Sequence, residues 1–281
     1  MEDYRLDAII EKFSSARVAV LGDFFLDLYI QLDRSLSEFS LETHKEAFQA
    51  VDLRGQPGTA GVVINNLTAL GAHSAAIAYI GKDGNGYTLK NGLDAQNVNT
   101  GYLIETEERF TPTYTKPLMQ EIDGQTVELN RIDIINRSPN SESLNKTLVE
   151  NVQKAIQTYD GILVVEQVKL DGYGTMSPLL REALTNVSET YPEKIIMVDS
   201  RHFAANYKNV SLKLNLSEAL AAVSDSPSDF REIFPDQSIP AARAYAAALW
   251  ETFGKPIFIT LGSQGIAGMA GGTFFHYPGY Q

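Results

Sequence analysis

The chain has 281 residues, of which 44% are hydrophobic and 21% charged, with a net charge of -12 and no cysteine. This apolar content suits one large domain or two small ones. The acidic balance argues against a nucleic-acid or anionic-membrane partner, and the missing cysteine excludes disulfides, thiol catalysis and cysteine-ligated zinc.

In chain order, residues 3 to 14 have the pattern of a short amphipathic helix, with Ile9, Ile10 and Phe13 on one side. The opening MEDYRLDAIIEKF does not have the form of a secretory signal. No apolar stretch reaches about 18 residues, the length of a membrane span, so the cytoplasm is the expected location. ARVAVLGD, 16 to 23, predicts a buried strand, and 28 to 55 predict edge strands or a flap. A helix is expected over about 59 to 70, closed by Gly71, then a buried strand in HSAAIAYIG, then a turn and helix in KDGNGYTLKNGLDAQ. From 98 to 133, alternation and a turn at Asp123-Gly124 predict exposed antiparallel strands. Helices are then expected at about 141–158, 176–190, 216–224 and 239–254. They alternate with strands in GILVVEQ, KIIMVDS, SLKLN and KPIFIT, and a hairpin closes the chain.

Apolar strands alternating with helices predict an α/β fold with a mainly parallel sheet flanked by helices. Ligands of such folds sit beyond the carboxyl ends of the strands. That places Asp23, Asp27, Glu166, Asp199 to Arg201, Asn215 to Glu218 and Thr260 to Gly265 at the expected site. A carboxylate such as Asp27 suits a sugar, whose hydroxyls must be satisfied on burial; a turn or helix cap is the other reading of Asp23 and Asp27. Asn215 and Glu218 read equally as a capping box or as oxygen groups near a magnesium-nucleotide. TLGSQG is either a plain turn or a nucleotide wrap with backbone donors. The four histidines are scattered without metal-ligand spacing, and there is no P-loop and no G-x-S-x-G elbow.

The order of these segments resembles the ribokinase-like (PfkB) carbohydrate kinase family, and within it the heptose 7-phosphate kinase domain of bifunctional enzymes of ADP-heptose synthesis. The resemblance runs through VLGDFFLDLY, PGTAGVVINNLTALGA, IGKDGNG, TPTYTKPLM with LNRID, VVEQVK, VDSR, LKLNLSE and ITLGSQG, from about residue 16 to the end. It implies a single Rossmann-like kinase domain over 1–281 with a small β lid from about 28–55 and 103–130, and a homodimer formed through the lid. It also implies transfer of a phosphoryl group from ATP with Mg2+ to a small-molecule sugar or sugar phosphate. Asp27, Gly58, Asn66, Lys116, Arg131 and Glu166 are then the candidates for substrate binding. Lys116, Arg131 and Arg201 are those for a substrate phosphate. Lys213, Asn215, Glu218, Thr260, Gly262 and Gly265 are those for the nucleotide, with Glu218 also toward the metal.

The chain departs from the family pattern in two places. Thr59 stands where the second glycine of a Gly-Gly motif is expected, and Val62 stands where an asparagine would contact the sugar. The Gly-Ala-Gly-Asp motif that carries the family's catalytic aspartate and anion hole does not occur, so no catalytic residue is assigned. The expectation is that this motif lies beyond Gln281 in a longer chain. The alternatives are a paralogue that binds a sugar or a partner without catalysis, and a structural subunit that assembles through its lid strands.

Overall fold

A computed structural model describes residues 3–224 and 237–280. Two sheets organise them. The larger has nine strands in the order β14-β13-β12-β11-β10-β9-β1-β4-β5. It runs parallel from β5 (Asn99–Thr106) through β4 (His73–Gly81), β1 (Arg17–Gly22), β9 (Gly161–Glu166), β10 (Ile195–Ser200) and β11 (Ser211–Asn215) to β12 (Ile257–Thr260). The antiparallel hairpin β13 (Ile266–Ala270) and β14 (Thr273–Tyr277) completes one edge. The expected mainly parallel α/β sheet is therefore present.

Each strand is a short run of apolar residues because helices cover both faces of the sheet. On one face lie α4 (Glu142–Thr158), α5 (Pro178–Thr190), α6 (Leu216–Val223) and α7 (Ser238–Phe253). Leu144, Leu148, Val152 and Ala155 form the buried stripe of α4, at the spacing that keeps one helical face inward. Ser141 caps α4 by accepting from Leu144 N, and Ser177 caps α5 with Pro178 in its first turn. The other face carries α2 (Ala60–Ala69) and α3 (Gly84–Asp94), which pack with Val20, Ala76 and Ile80. A short α1 (Asp3–Ile10) precedes the sheet. Among the described residues no helix is long and apolar enough to cross a membrane.

The smaller sheet is the lid. Its path is β3-β2-β6-β7, with β8 paired to β6. Strands β2 (Phe24–Phe39) and β3 (Glu46–Thr59) form a long antiparallel hairpin; β6 (Thr113–Gln120) lies parallel to β2, and β7 (Thr126–Glu128) and β8 (Ile132–Ile134) lie antiparallel to β6. This corrects the second lid boundary. Residues 99–106 were expected among exposed antiparallel strands, yet β5 joins β4 in parallel at the edge of the main sheet. An edge strand is half exposed, so it alternates much as a lid strand does. The second lid segment therefore begins at Thr113.

Strand β1 lies between β9 and β4, and the order of the main sheet reverses there. Such a switch point opens a crevice beyond the carboxyl ends of the strands. The chain leaves β1 at Asp23 and enters the lid directly, which sets the lid over that crevice.

Candidate active site

Alternation along β2 separates two faces of the lid. Leu26 and Leu28 lie on one face and join the cluster built on α2 and α3. Phe25, Asp27 and Tyr29 lie on the other. Register places Tyr114 and Lys116 of β6 beside Asp27 and Tyr29, and Gln56 and Arg54 of β3 on their other side. This polar face is turned toward the strand ends: the Tyr114 phenol interacts electrostatically with Arg201, after β10, and with Asp23, after β1. Burial pushes the Tyr114 phenol up, Arg131 opposes that shift, and the ring packs 4.8 Å from Phe25.

Asp27 and Lys116 form the centre of the group. Their side chains are only 14% and 19% exposed, and Lys116 Nζ lies 2.8 Å from Asp27 Oδ1. Lys116 also donates to the Tyr29 hydroxyl at 3.3 Å. Burial disfavours the ammonium, but the Asp27 carboxylate and the Tyr29 hydroxyl outweigh it and hold the Lys116 pKa above its ordinary value. Gly58 gives Asp27 its room, since a Cβ there would stand 2.6 Å from Asp27 Oδ2. Gly61 does the same for Pro57, whose Cβ occupies the space a side chain would need. The two glycines at the mouth of α2 are thus close-approach glycines, and one of them admits the candidate substrate carboxylate.

Arg131 comes to the same face, with its guanidinium 4.1 Å from the Tyr114 ring centroid. It forks onto Asp133 at 2.6 and 2.9 Å. His202, beside Arg201, is pushed down by burial and by the positive charges of Lys169 and Arg201, so it is neutral at pH 7.

Two expectations are corrected. Glu166 does not face a substrate. It is 3% exposed, Arg181 and Asp171 share its network, and its Oε2 accepts from Ser200 Oγ at 2.5 Å and Tyr207 OH at 2.9 Å. Every oxygen it has is taken, so it is a buried strut joining β9, α5 and β10. Asn66 is exposed in the second turn of α2, about 9 Å along the helix from Ala60 at 1.5 Å per residue. It falls outside the group gathered around Asp27. Asp23 resolves toward its structural reading: its buried carboxylate accepts from the backbone of Gln167, Val168 and Thr175 at 2.7, 3.0 and 2.8 Å and ties the 167–175 loop to β1. Burial pushes its carboxyl up against the pull of those donors.

The candidates toward the nucleotide lie at the ends of β11 and β12. Lys213 Nζ is 2.9 Å from Asp199 Oδ2. Asn215 and Glu218 form a complete capping box, each accepting the other's N–H at 2.8 Å. The box uses one Glu218 oxygen and leaves Oε1 open at an exposed helix start. Among the described residues no three His, Asp or Glu side chains cluster to hold an ion. The donor set therefore fits a Mg2+ that keeps its waters and takes phosphate oxygens, with Glu218 as a contact through water, and does not fit an all-protein cage. Thr260 Oγ1 donates to Leu214 O at 3.3 Å. Gly262 and Gly265 both adopt positive φ, 61° and 88°. A Cβ on Gly265 would run into Tyr277 O, so close packing of the terminal hairpin alone explains that glycine.

Sequence reasoning passed over Tyr29, Arg54 and Gln56. The first was within reach, because period-two alternation from Asp27 puts Tyr29 on the same face. The other two depend on the β2–β3 register, which no local pattern supplies.

Known proteins resemble this chain in sequence and in fold. The family model described as pfkB family carbohydrate kinase matches residues 16–281. The bifunctional protein HldE of Desulfatibacillum aliphaticivorans is 29% identical over 260 residues, 92% of this chain and 49% of the relative. That of Chromohalobacter salexigens is 29% identical over 219 residues, 76% and 42%. The chain thus spans about half the length of these curated relatives. Among solved structures, phosphofructokinase-2 from Escherichia coli in complex with substrates and products superposes with a TM-score of 0.62 at 18% identity, covering 93% of this chain and 78% of the other. Ribokinase from Cryptococcus neoformans in complex with ADP gives 0.57 at 20%, covering 95% and 80%. The fold is that of these kinases.

Proposed function

The chain belongs to the pfkB family of carbohydrate kinases, and on that premise we propose that it serves ATP-dependent phosphoryl transfer to a sugar phosphate in the cytoplasm, with heptose 7-phosphate the leading substrate. The observation that carries the reading is the Asp27 carboxylate, held by Gly58 and Lys116 on a lid face turned to the switch point of the sheet. In this reading Asp27 accepts hydrogen bonds from sugar hydroxyls, and Lys116 holds the carboxylate in place while it does so. Arg131 and Arg201 hold the anionic end of the substrate from the lid and from the core. Lys213, Asn215, Glu218, Thr260 and Gly262 line the nucleotide. Magnesium, when bound, neutralises phosphate charge and orients the transferring group. The lid excludes water from the transfer, which limits loss of the phosphoryl group to hydrolysis. The resemblance assigns the base to a Gly-Ala-Gly-Asp motif, which does not occur in these 281 residues.

The apolar outer half of the lid supports a homodimer. Ile30, Leu32, Phe48, Pro117, Leu129 and Ile132 line a groove of about 580 Å³ on the face opposite Asp27.

The test is ADP release from the protein isolated from its host, against a panel of sugars and sugar phosphates. Substrate-dependent release is expected, and Asp27→Asn should lower kcat/KM by about 10- to 100-fold, the range for losing hydrogen bonds to a charged acceptor. Unchanged kinetics would remove Asp27 from the site. One observation favours a second reading: Val62, 45% exposed in the first turn of α2, offers no hydrogen bond where the family places an asparagine. Sugar binding without ADP release would favour a binding-only protein.

A further inference from the structure

The cations on the polar face of the lid differ in what already neutralises them. Lys116 is held by Asp27 at 2.8 Å, and Arg131 is held by Asp133. The side chain of Arg54, on β3, makes no ion pair and no hydrogen bond with the other described residues; its guanidinium lies 4.9 Å from the Tyr29 ring centroid. Lys116 Nζ lies 4.9 Å from the same centroid. Tyr29 therefore carries two cations, while Asp27 offsets only one. Asp52, two residues before Arg54 on the same face, forms no ion pair with it. In a protein of net charge -12, a guanidinium on the candidate substrate face that no carboxylate pairs and that a ring already orients is open to an incoming anion.

Register fixes where that requirement lies. Arg54 pairs with Tyr29 and Gln56 pairs with Asp27, so Arg54 stands one strand over and two residues along the same face, about 7 Å from Asp27 in the strand direction at a rise of about 3.4 Å. A sugar whose hydroxyls engage Asp27 spans this distance to a substituent at its far end. A planar guanidinium already stacked on a ring has less freedom to lose, and its fork matches two phosphate oxygens. We propose that Arg54 is a specificity residue that binds a phosphomonoester on the sugar held by Asp27. The inference rests on the sugar-phosphate reading above and adds to that site a residue that sets the preference for the phosphorylated sugar.

Calorimetric titration without ATP tests it, using fructose 6-phosphate and sedoheptulose 7-phosphate beside their unphosphorylated parents. The wild-type protein should prefer the phosphorylated ligand of each pair. Arg54→Gln should weaken that ligand by about 10- to 100-fold and leave the parent sugar unchanged, and Arg54→Lys should restore part of the loss. Equal weakening of both members of a pair, or no weakening of the phosphorylated one, would overturn the role of Arg54. A wild-type protein that binds parents as tightly as phosphates overturns this inference together with the sugar-phosphate part of the reading, and leaves a carbohydrate kinase for unphosphorylated sugars. One that binds none of the four overturns the carbohydrate reading with it.

Discussion

Thr59 has φ 54° and ψ -109°, a left-handed backbone at a β-branched residue. The turn cannot relax, because Ala60 N is fixed on Asp23 O at 3.1 Å and Gly58 lies against Asp27 on the other side. Such a conformation costs about 1–3 kcal/mol, and glycine would remove the strain while adding back about 0.5–1 kcal/mol of unfolded-state freedom. Thr59→Gly should therefore raise stability by about 1 kcal/mol, read as a higher urea midpoint at unchanged slope. A lower midpoint would mean that the threonine side chain holds the turn. At this scale the sequence was legible where one residue needs one neighbour. Asp27 stood out as a carboxylate that follows an apolar strand, and Gly58 stood out through the motif that resembles the family's. Glu166 misled for the same reason: a carboxylate ending an apolar strand has the pattern of a ligand group. Its partners Arg181, Ser200 and Tyr207 lie 15, 34 and 41 residues away, and no local pattern announces them.

Between elements, IGKDGNG acts as a joint. Asp83 caps α3 by accepting from Gly86 N at 2.7 Å, and its other oxygen accepts from Thr111 N at 2.9 Å. Thr111 Oγ1 accepts from Gly81 N at 2.9 Å, and a Cβ on Gly86 would run into Gly81 O. The motif thus links the end of β4, the start of α3 and the segment that leads into the lid at Thr113. Asp83→Ala removes a cap worth about 1 kcal/mol and strands the Thr111 N–H at about 1–3 kcal/mol. A loss of about 2–3 kcal/mol is expected in chemical denaturation. Amide exchange should rise more in β6 than in β12; a uniform rise would show that Asp83 serves the core and not the lid. Taken alone, the glycines of this stretch fit any turn, and only the segment order made them informative. The displaced lid boundary has a related cause: half-exposed β5 alternates as a lid strand does, and alternation does not say which neighbour a strand pairs with.

For the whole molecule, the lid presents a physical problem in a single copy. The inner end of its apolar face packs on the core through Leu26 and Leu28. Farther out, Leu53 and Ile132 are 64% and 63% exposed on that face, and Phe48 and Val127 are also exposed. A contiguous apolar surface of this kind marks an interaction site, and a sheet with one bare apolar face calls for a second layer. A second copy of the same lid meets the need by two-fold symmetry, since a self-complementary patch closes a dimer without leaving a free end. The cost is charge: each copy carries -12, so approach is opposed over a Debye length of about 10 Å at 0.1 M salt. Two consequences separate this arrangement from a solvated lid. Sedimentation should show a dimer that tightens as salt rises, because screening removes repulsion while apolar burial persists. Leu53→Asp combined with Ile132→Asp should give a folded monomer, because both side chains are already exposed and the core does not depend on them. A wild-type monomer at every salt concentration would exclude the lid dimer. A mutant that remains dimeric would move the interface off this face. The lid's two faces would then have separate tasks only if the polar one, with Asp27, kept its sugar affinity in the monomer, and a titration on the double mutant reads that directly.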